Sequence, residues 1–283
     1  MTLSVAGGLL LALGSAAALN WGYFIQHTAA TALPPLSLRR PLHSLGLLFR
    51  DLWWVVGFFT GIGGWGLYVA ALALAPLSIV QAASAGGIAL LAGLVGKLTR
   101  REQAAVVVAV SGLVLLGVSL LGARAPTSHG AWISVAVWMA VSVGVAGFVA
   151  GPAAAVLAGG AGLGIAAGLL YAAGDVGTKA ALAGGARLAF VPALLACHGL
   201  AFVSLQFGFQ RGRALATAGM ATLWTNALPI AAGSLLFAER LPDGLRGAAR
   251  VAAFICVLAG AVGLARREPV ETPAPVTLGE AVD

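Results

Sequence analysis

The chain has 283 residues, of which 60% are hydrophobic and 9% charged, and its mean hydropathy is +0.99. A soluble domain carries about a quarter charged residues, which excludes soluble folds. The formal net charge of +7 does not point to nucleic acid, because the arginines stand at the ends of apolar runs rather than in a basic patch.

A helix crosses a bilayer with roughly 20 apolar residues, and about nine stretches meet that length. The opening residues 2–18 hold no Lys or Arg before their apolar core, and the run continues through Trp21 to Ile25. It reads as a first span, 3–25, rather than a secretory signal. A polar connection with Arg39, Arg40, His43 and Arg50 follows, with 45–49 expected at the membrane interface. The second span, 52–74, opens with Trp53 and Trp54 as expected interfacial anchors. Pro76 begins the third, which stops at Lys97, Arg100, Arg101 and Glu102; the fourth covers 104–121. A loop with Arg124, Pro126 and His129 leads to the fifth, 130–150.

After Pro152 the pattern restarts. The sixth span, 159–182, places Gly160, Gly164 and Gly168 on one face, a spacing that lets a neighbouring backbone approach closely. The seventh covers 190–210, the eighth 214–237 with Pro229 expected to kink it, and the ninth 248–264. Cys197 and Cys256 lie inside apolar spans and read as small buried hydrophobes, neither a disulfide framework nor a metal site.

Shifting the first half by 137 positions lays 54–102 onto 191–239 without a gap, so that Gly96, Leu98 and Glu102 meet Gly233, Leu235 and Glu239. The reading is a first four-helix repeat over 1–122, a connector helix with its flanks over 123–153, a second four-helix repeat over 154–267 and a disordered cytoplasmic tail over 268–283. Four spans return the chain to its starting side and the fifth carries it across. The second repeat then enters the membrane from the opposite face, an inverted-repeat plan used by many secondary transporters. Arg39, Arg40, Arg50, Lys97, Arg100, Arg101, Arg211 and Arg213 fall on one side with the tail. That side is expected to be cytoplasmic, which puts the N-terminus outside.

The hairpin Ala75-Pro76-Leu77-Ser78-Ile79-Val80-Gln81 through Glu102, with Gly112 and Gly117 in the next span, resembles the drug/metabolite transporter superfamily. So do Gly212-Arg213-Ala214 and the run Phe237-Ala238-Glu239-Arg240-Leu241, and Gly174-Asp175-Val176-Gly177-Thr178-Lys179 is similar to its first-span pattern. The likeness is to EamA-like and small-multidrug-resistance-like repeats and covers nearly the whole chain up to Arg267. The nine-span plan also looks like the magnesium-transporter-like branch. The resemblance implies a transporter, though without the small-multidrug site. That family's first-span carboxylate falls at Ala16 and Tyr171, its second-span tyrosine at Gly61 and His198, and its third-span aromatics at Gln81, Ser84, Ala218 and Ala221.

Within the spans, Asp175 is the acid that lies deep. An ionisable group there costs about 2.5–3.5 kcal/mol on insertion scales and faces a cavity or a partner. Lys179 lies one turn on, so an Asp175–Lys179 pair and a substrate or proton role are both open, and Tyr171 one turn earlier completes a polar stripe. Gln81 and Ser84 share a face of span three, as Thr222 and Asn226 do on span eight beside Trp224. Such residues are either packing glue or a cavity lining. Asn20, Tyr23 and His27 stripe span one; His198 in span seven is a packing residue or a proton carrier; Tyr68 and Gln206 complete the candidate set. Glu102 and Glu239 are expected to cap loops.

These residues lead to the expectation of a secondary transporter in a prokaryotic inner membrane. It would move a small organic solute or amphiphile through a site walled by spans one, two, three, six, seven and eight. A magnesium or other ion permease is the alternative, and a non-transporting scaffold a third reading. No zinc-ligand helix, serine elbow or phosphate loop is present, so no enzyme, cofactor or metal is expected. Expected partners are the solute, a coupling proton or ion and membrane lipid, with no nucleic acid, for a monomer or homodimer.

Overall fold

In hydrocarbon a backbone N–H or C=O has no water to bond, so an apolar span must satisfy both within itself and becomes helix. The computed structural model describes residues 3–37, 40–75, 77–84, 87–96, 98–119, 130–153, 157, 159–237 and 244–265, and among them the chain is all-helical, without strands. In chain order the helices are α1 (Leu3–Ala32), α2 (Pro41–Arg50), α3 (Leu52–Leu74), α4 (Leu77–Ser84), α5 (Gly87–Val95), α6 (Arg100–Ser119), α7 (Trp132–Ala150), α8 (Ala161–Ala181), α9 (Val191–Arg211), α10 (Met220–Leu236) and α11 (Leu245–Ala265). Among the described residues five segments are long and apolar enough to cross a membrane: Ala6–Ala32, Leu52–Leu74, Trp132–Ala150, Ala161–Ala181 and Gly185–Arg211, the last a 3-10 turn running into α9. This is the make-up of a polytopic membrane protein.

Several expectations from sequence are corrected at this level. Helix α1 runs past residue 25 to Ala32, because its last turns pack on the second half of the chain: the His27 ring stands edge-on to Phe209, and its Nε2 lies 3.1 Å from the carbonyl oxygen of Gly212. The stretch expected at the interface is helix α2, whose Leu48 is buried and whose Phe49 ring meets Trp54 and Phe58. Trp53 is exposed like an anchor, but Trp54 is fully buried, its indole N–H donating to Gln206 Oε1 at 2.8 Å. Within the third span the described residues are helical over Leu77–Ser84 and Gly87–Val95, as expected. Glu102 does not end a helix. It starts one, accepting from Thr99 N–H at 2.9 Å while Thr99 Oγ1 accepts from Glu102 N–H, a reciprocal cap of α6. The 120–129 loop, Glu239 and the 268–283 tail lie outside the described residues.

Small residues set the packing. A Cβ on Gly22 would come within 2.8 Å of the Gly57 carbonyl oxygen, and Gly8 faces Ala75, so α1 and α3 run antiparallel at backbone contact. Likewise Gly177 meets Leu194 and Gly160 meets Gly208, so α8 and α9 are antiparallel. Gly164 faces Thr217 and Gly168 faces Ala221, so the glycine face of α8 seats a π-helical turn (Leu215–Gly219) and the start of α10. Gly260 meets Ala109 and Gly263 meets Ala105, pairing α11 with α6 in antiparallel. Between the halves, Gln26 bonds Gln206 and Ala30 bonds Gln210, so α1 runs parallel to α9. It follows that α1 opposes α8 and α3 opposes α9.

Candidate functional site

A cavity of about 360 Å³ lies where the two halves meet, walled by side chains of α1, α3, α4, α8, α9 and α10. Its polar groups exist because neighbouring glycines make room for them. A Cβ on Gly174 would run into the His198 ring, and one on Gly87 would run into the Asn20 carboxamide.

The centre of the site is His198. Its Nδ1 lies 2.8 Å from the Leu194 carbonyl oxygen, and a carbonyl can only accept, so Nδ1 carries the proton. Its Nε2 accepts from the Trp65 indole N–H at 3.2 Å, and an indole can only donate. These two contacts hold the ring between α3 and its own helix. Asp175 Oδ1 stands 3.5 Å from the same Nε2, and the Tyr171 ring lies edge-on to the imidazole with centroids 5.7 Å apart. Tyr171 in turn shares a hydroxyl hydrogen bond with Tyr23 of α1. On the opposite wall Thr222 Oγ1 donates to Asn20 Oδ1 at 3.3 Å, while Asn20 and Asn226 each turn an amide N–H back into their own helix, onto Ala16 and Thr222 carbonyls.

Of the residues singled out from sequence, Asn20, Tyr68, Ser84, Tyr171, Asp175, His198, Thr222 and Asn226 line this one cavity. Ser84 turns its hydroxyl to the Val80 carbonyl at 3.0 Å. Gln81 belongs to α4, and its side chain lies outside the described residues. Three residues fall elsewhere. Gln206 sits below the cavity, where it accepts from Trp54 and donates to Gln26 Oε1 at 2.6 Å, a floor tying α1, α3 and α9 together. Trp224 turns its Cβ onto Gly168 and packs against α8. Lys179 reaches out of its own helix to the Leu72 and Ala75 carbonyls, at 3.1 and 3.4 Å, and so caps the C-terminus of α3. Asp175 likewise looks across to α9 rather than only along α8.

Sequence reasoning missed Trp65, Phe58 and Phe202 as lining residues. A signal was present for two of them. Trp54, Phe58, Trp65 and Tyr68 follow each other at spacings of four, seven and three, an aromatic stripe down one face of α3. Among the described residues no group of three or more His, Cys, Asp or Glu could hold a metal ion. No protein-family model matches the chain, and neither curated proteins nor solved structures match it.

Proposed function

We propose that the chain is a secondary transporter of the drug/metabolite superfamily type, moving a small organic solute or amphiphile across a prokaryotic inner membrane by alternating access. Nine spans form two inverted four-helix halves, 1–122 and 154–267, around a connector within 123–153, with the N-terminus outside and the C-terminus cytoplasmic. The observation that carries this reading is the cavity between the halves, which holds Asp175 and three carboxamides, of Asn20, Gln26 and Asn226, amid apolar spans. Polar groups in such spans are costly to keep unless they serve a path.

Further support comes from helix direction. Under the inverted reading α1 corresponds to α8 and α3 to α9, and in each pair the two helices run oppositely. Opposed halves around a shared site let rocking of one against the other expose that site to either side. The resemblance bears on the same cavity in part: of the positions onto which the small-multidrug site maps, 16, 61, 84, 171 and 198 contribute to its wall, whereas Ala218 and Ala221 do not.

The test is two-sided accessibility. In a protein freed of Cys197 and Cys256, Ser84→Cys should react with a membrane-impermeant thiol reagent from either face of a proteoliposome. Labelling from one face alone, whatever solute is present, would sink alternating access. Saturable uptake from a metabolite pool would then identify the solute.

A further inference from the structure

Helix α2 is too short to cross a bilayer, and its side chains fall into three sectors. At about 3.6 residues per turn, Ser44 and Leu48 share one side, and both are buried against the protein. Next to them Leu42, Leu45 and Phe49 form a flank and are 83%, 44% and 48% exposed. Beyond that flank come His43 and Arg50, both exposed, as is Arg40 at the N-cap. An exposed apolar flank bordered by cations, at the end of a membrane hairpin, is the pattern of a helix lying in the lipid interface.

The protein fixes this helix rather than leaving it to fray. Ser37 N–H donates to Ser44 Oγ at 2.9 Å, and in the linker ahead of it Leu36 N–H donates to Gln210 Oε1 at 2.8 Å. At the other end the Phe49 ring stands edge-on to Trp54 and Phe58, with centroids 5.0 and 5.5 Å apart. The apolar flank is therefore presented outward in a set position.

Charge decides which lipid it meets. Among the described residues, the side chains of Arg40, His43 and Arg50 have no ion pair or hydrogen bond. The two described carboxylates at this end of the molecule are taken. Asp51 Oδ1 accepts from Trp54 N–H at 2.7 Å as the cap of α3, and Glu102 pairs with Arg213 at 2.8 Å. Arg211, next to the Gln210 that bonds the linker, adds another exposed cation beside the Phe207 ring. A zwitterionic headgroup brings its own cation into such a patch, whereas an anionic one does not, and a guanidinium offers a phosphate two parallel N–H donors.

We propose that α2 is a docking element for anionic phospholipid, with Leu42, Leu45 and Phe49 among the acyl chains and Arg40 and Arg50 on the phosphate. This goes beyond the transport reading and stands whether or not the chain moves a solute.

Native mass spectrometry of the full chain in detergent, titrated with phosphatidylglycerol or phosphatidylcholine of the same acyl chains, tests it. The first phosphatidylglycerol should bind about 25-fold tighter than the first phosphatidylcholine, about fivefold for each arginine. Equal affinity overturns the selectivity. Arg40→Gln with Arg50→Gln should bring phosphatidylglycerol down to the phosphatidylcholine value, while Arg40→Lys with Arg50→Lys keeps most of the preference because the charge remains. Arg100→Gln removes an exposed cation from α6 and should leave the preference intact. An unaltered preference in the glutamine pair, or an equal loss from Arg100→Gln, assigns the lipid to the basic edge at large and removes α2 as its seat. Excess inorganic phosphate should not displace the lipid; displacement would mean a soluble-anion site instead. A dimer mass that Leu45→Ser abolishes would mean that a second copy of the chain covers the flank, and overturns the proposal as well. No flux is measured, so a failure here is distinct from one-sided labelling of Ser84→Cys, which defeats the transport reading instead.

Discussion

Helices α1 and α8 are counterparts in the proposed repeat, yet they live in different surroundings. In the span of α8, 83% of residues are buried in protein, against 33% for α1. The acid sits on the enclosed helix, and the more lipid-exposed one offers a carboxamide, Asn20, at the cavity. Lipid cannot solvate a charge, whereas a helix ringed by protein can find Trp, His and Tyr neighbours for it. A pseudo-symmetric frame thus carries an asymmetric site, with the charge from one half and most of the aromatic wall from the other.

The sharpest way to break this comparison is to put bulk on the enclosed helix. A side chain at Gly164 meets the Thr217 carbonyl, and backbone cannot step aside. Gly164→Val should therefore cost more than about 4 kcal/mol, a range confined to a few severe mechanisms, and yield no monodisperse protein by size exclusion. Gly66→Val on α3 has open space around it and should stay within about 0.5 kcal/mol of the parent in thermal unfolding. Equal tolerance at both positions would mean that α8 is not seated as described.

A second comparison sets Gly174 against Gly87, the glycines that make room for His198 and Asn20. Gly174→Ala should expel the imidazole, lose the Trp65 hydrogen bond and cost about 1–3 kcal/mol, seen as a changed Trp65 indole N–H resonance. Gly87→Ala should leave that resonance in place and disturb the Asn20–Thr222 contact instead. Next is the floor. Trp54→Phe leaves Gln206 Oε1 without its donor in a buried place, for about 1–3 kcal/mol by chemical denaturation. The smallest effect is expected at the membrane edge, where Arg213 and Glu102 pair at 2.8 Å with the arginine half exposed. A double-mutant cycle there should give about 0.2–1 kcal/mol, less at high salt.

The apolar stretches and the small-residue face of the sixth span were legible because each is a local pattern with a physical meaning. Which apolar face meets protein was not. In a membrane, lipid-facing and protein-facing residues are equally apolar, so Trp54 read as an anchor although it is buried, and Trp224 read as lining although it packs on Gly168. Gln206 and Lys179 were placed in the site for being polar. Their partners lie 152 and 107 positions away, and no spacing rule within a span reaches that far. The eight lining residues that sequence did find share one property: each is polar on a face that also carries small or aromatic neighbours.

The glycine face of α8 has a mechanical consequence. Two helices that touch backbone to backbone have no flexible side chains between them to absorb a displacement. A force applied at Asp175 is therefore delivered undamped to the π-helical turn ahead of α10, which makes α8 a lever whose fulcrum is the contact of Gly164 with Thr217.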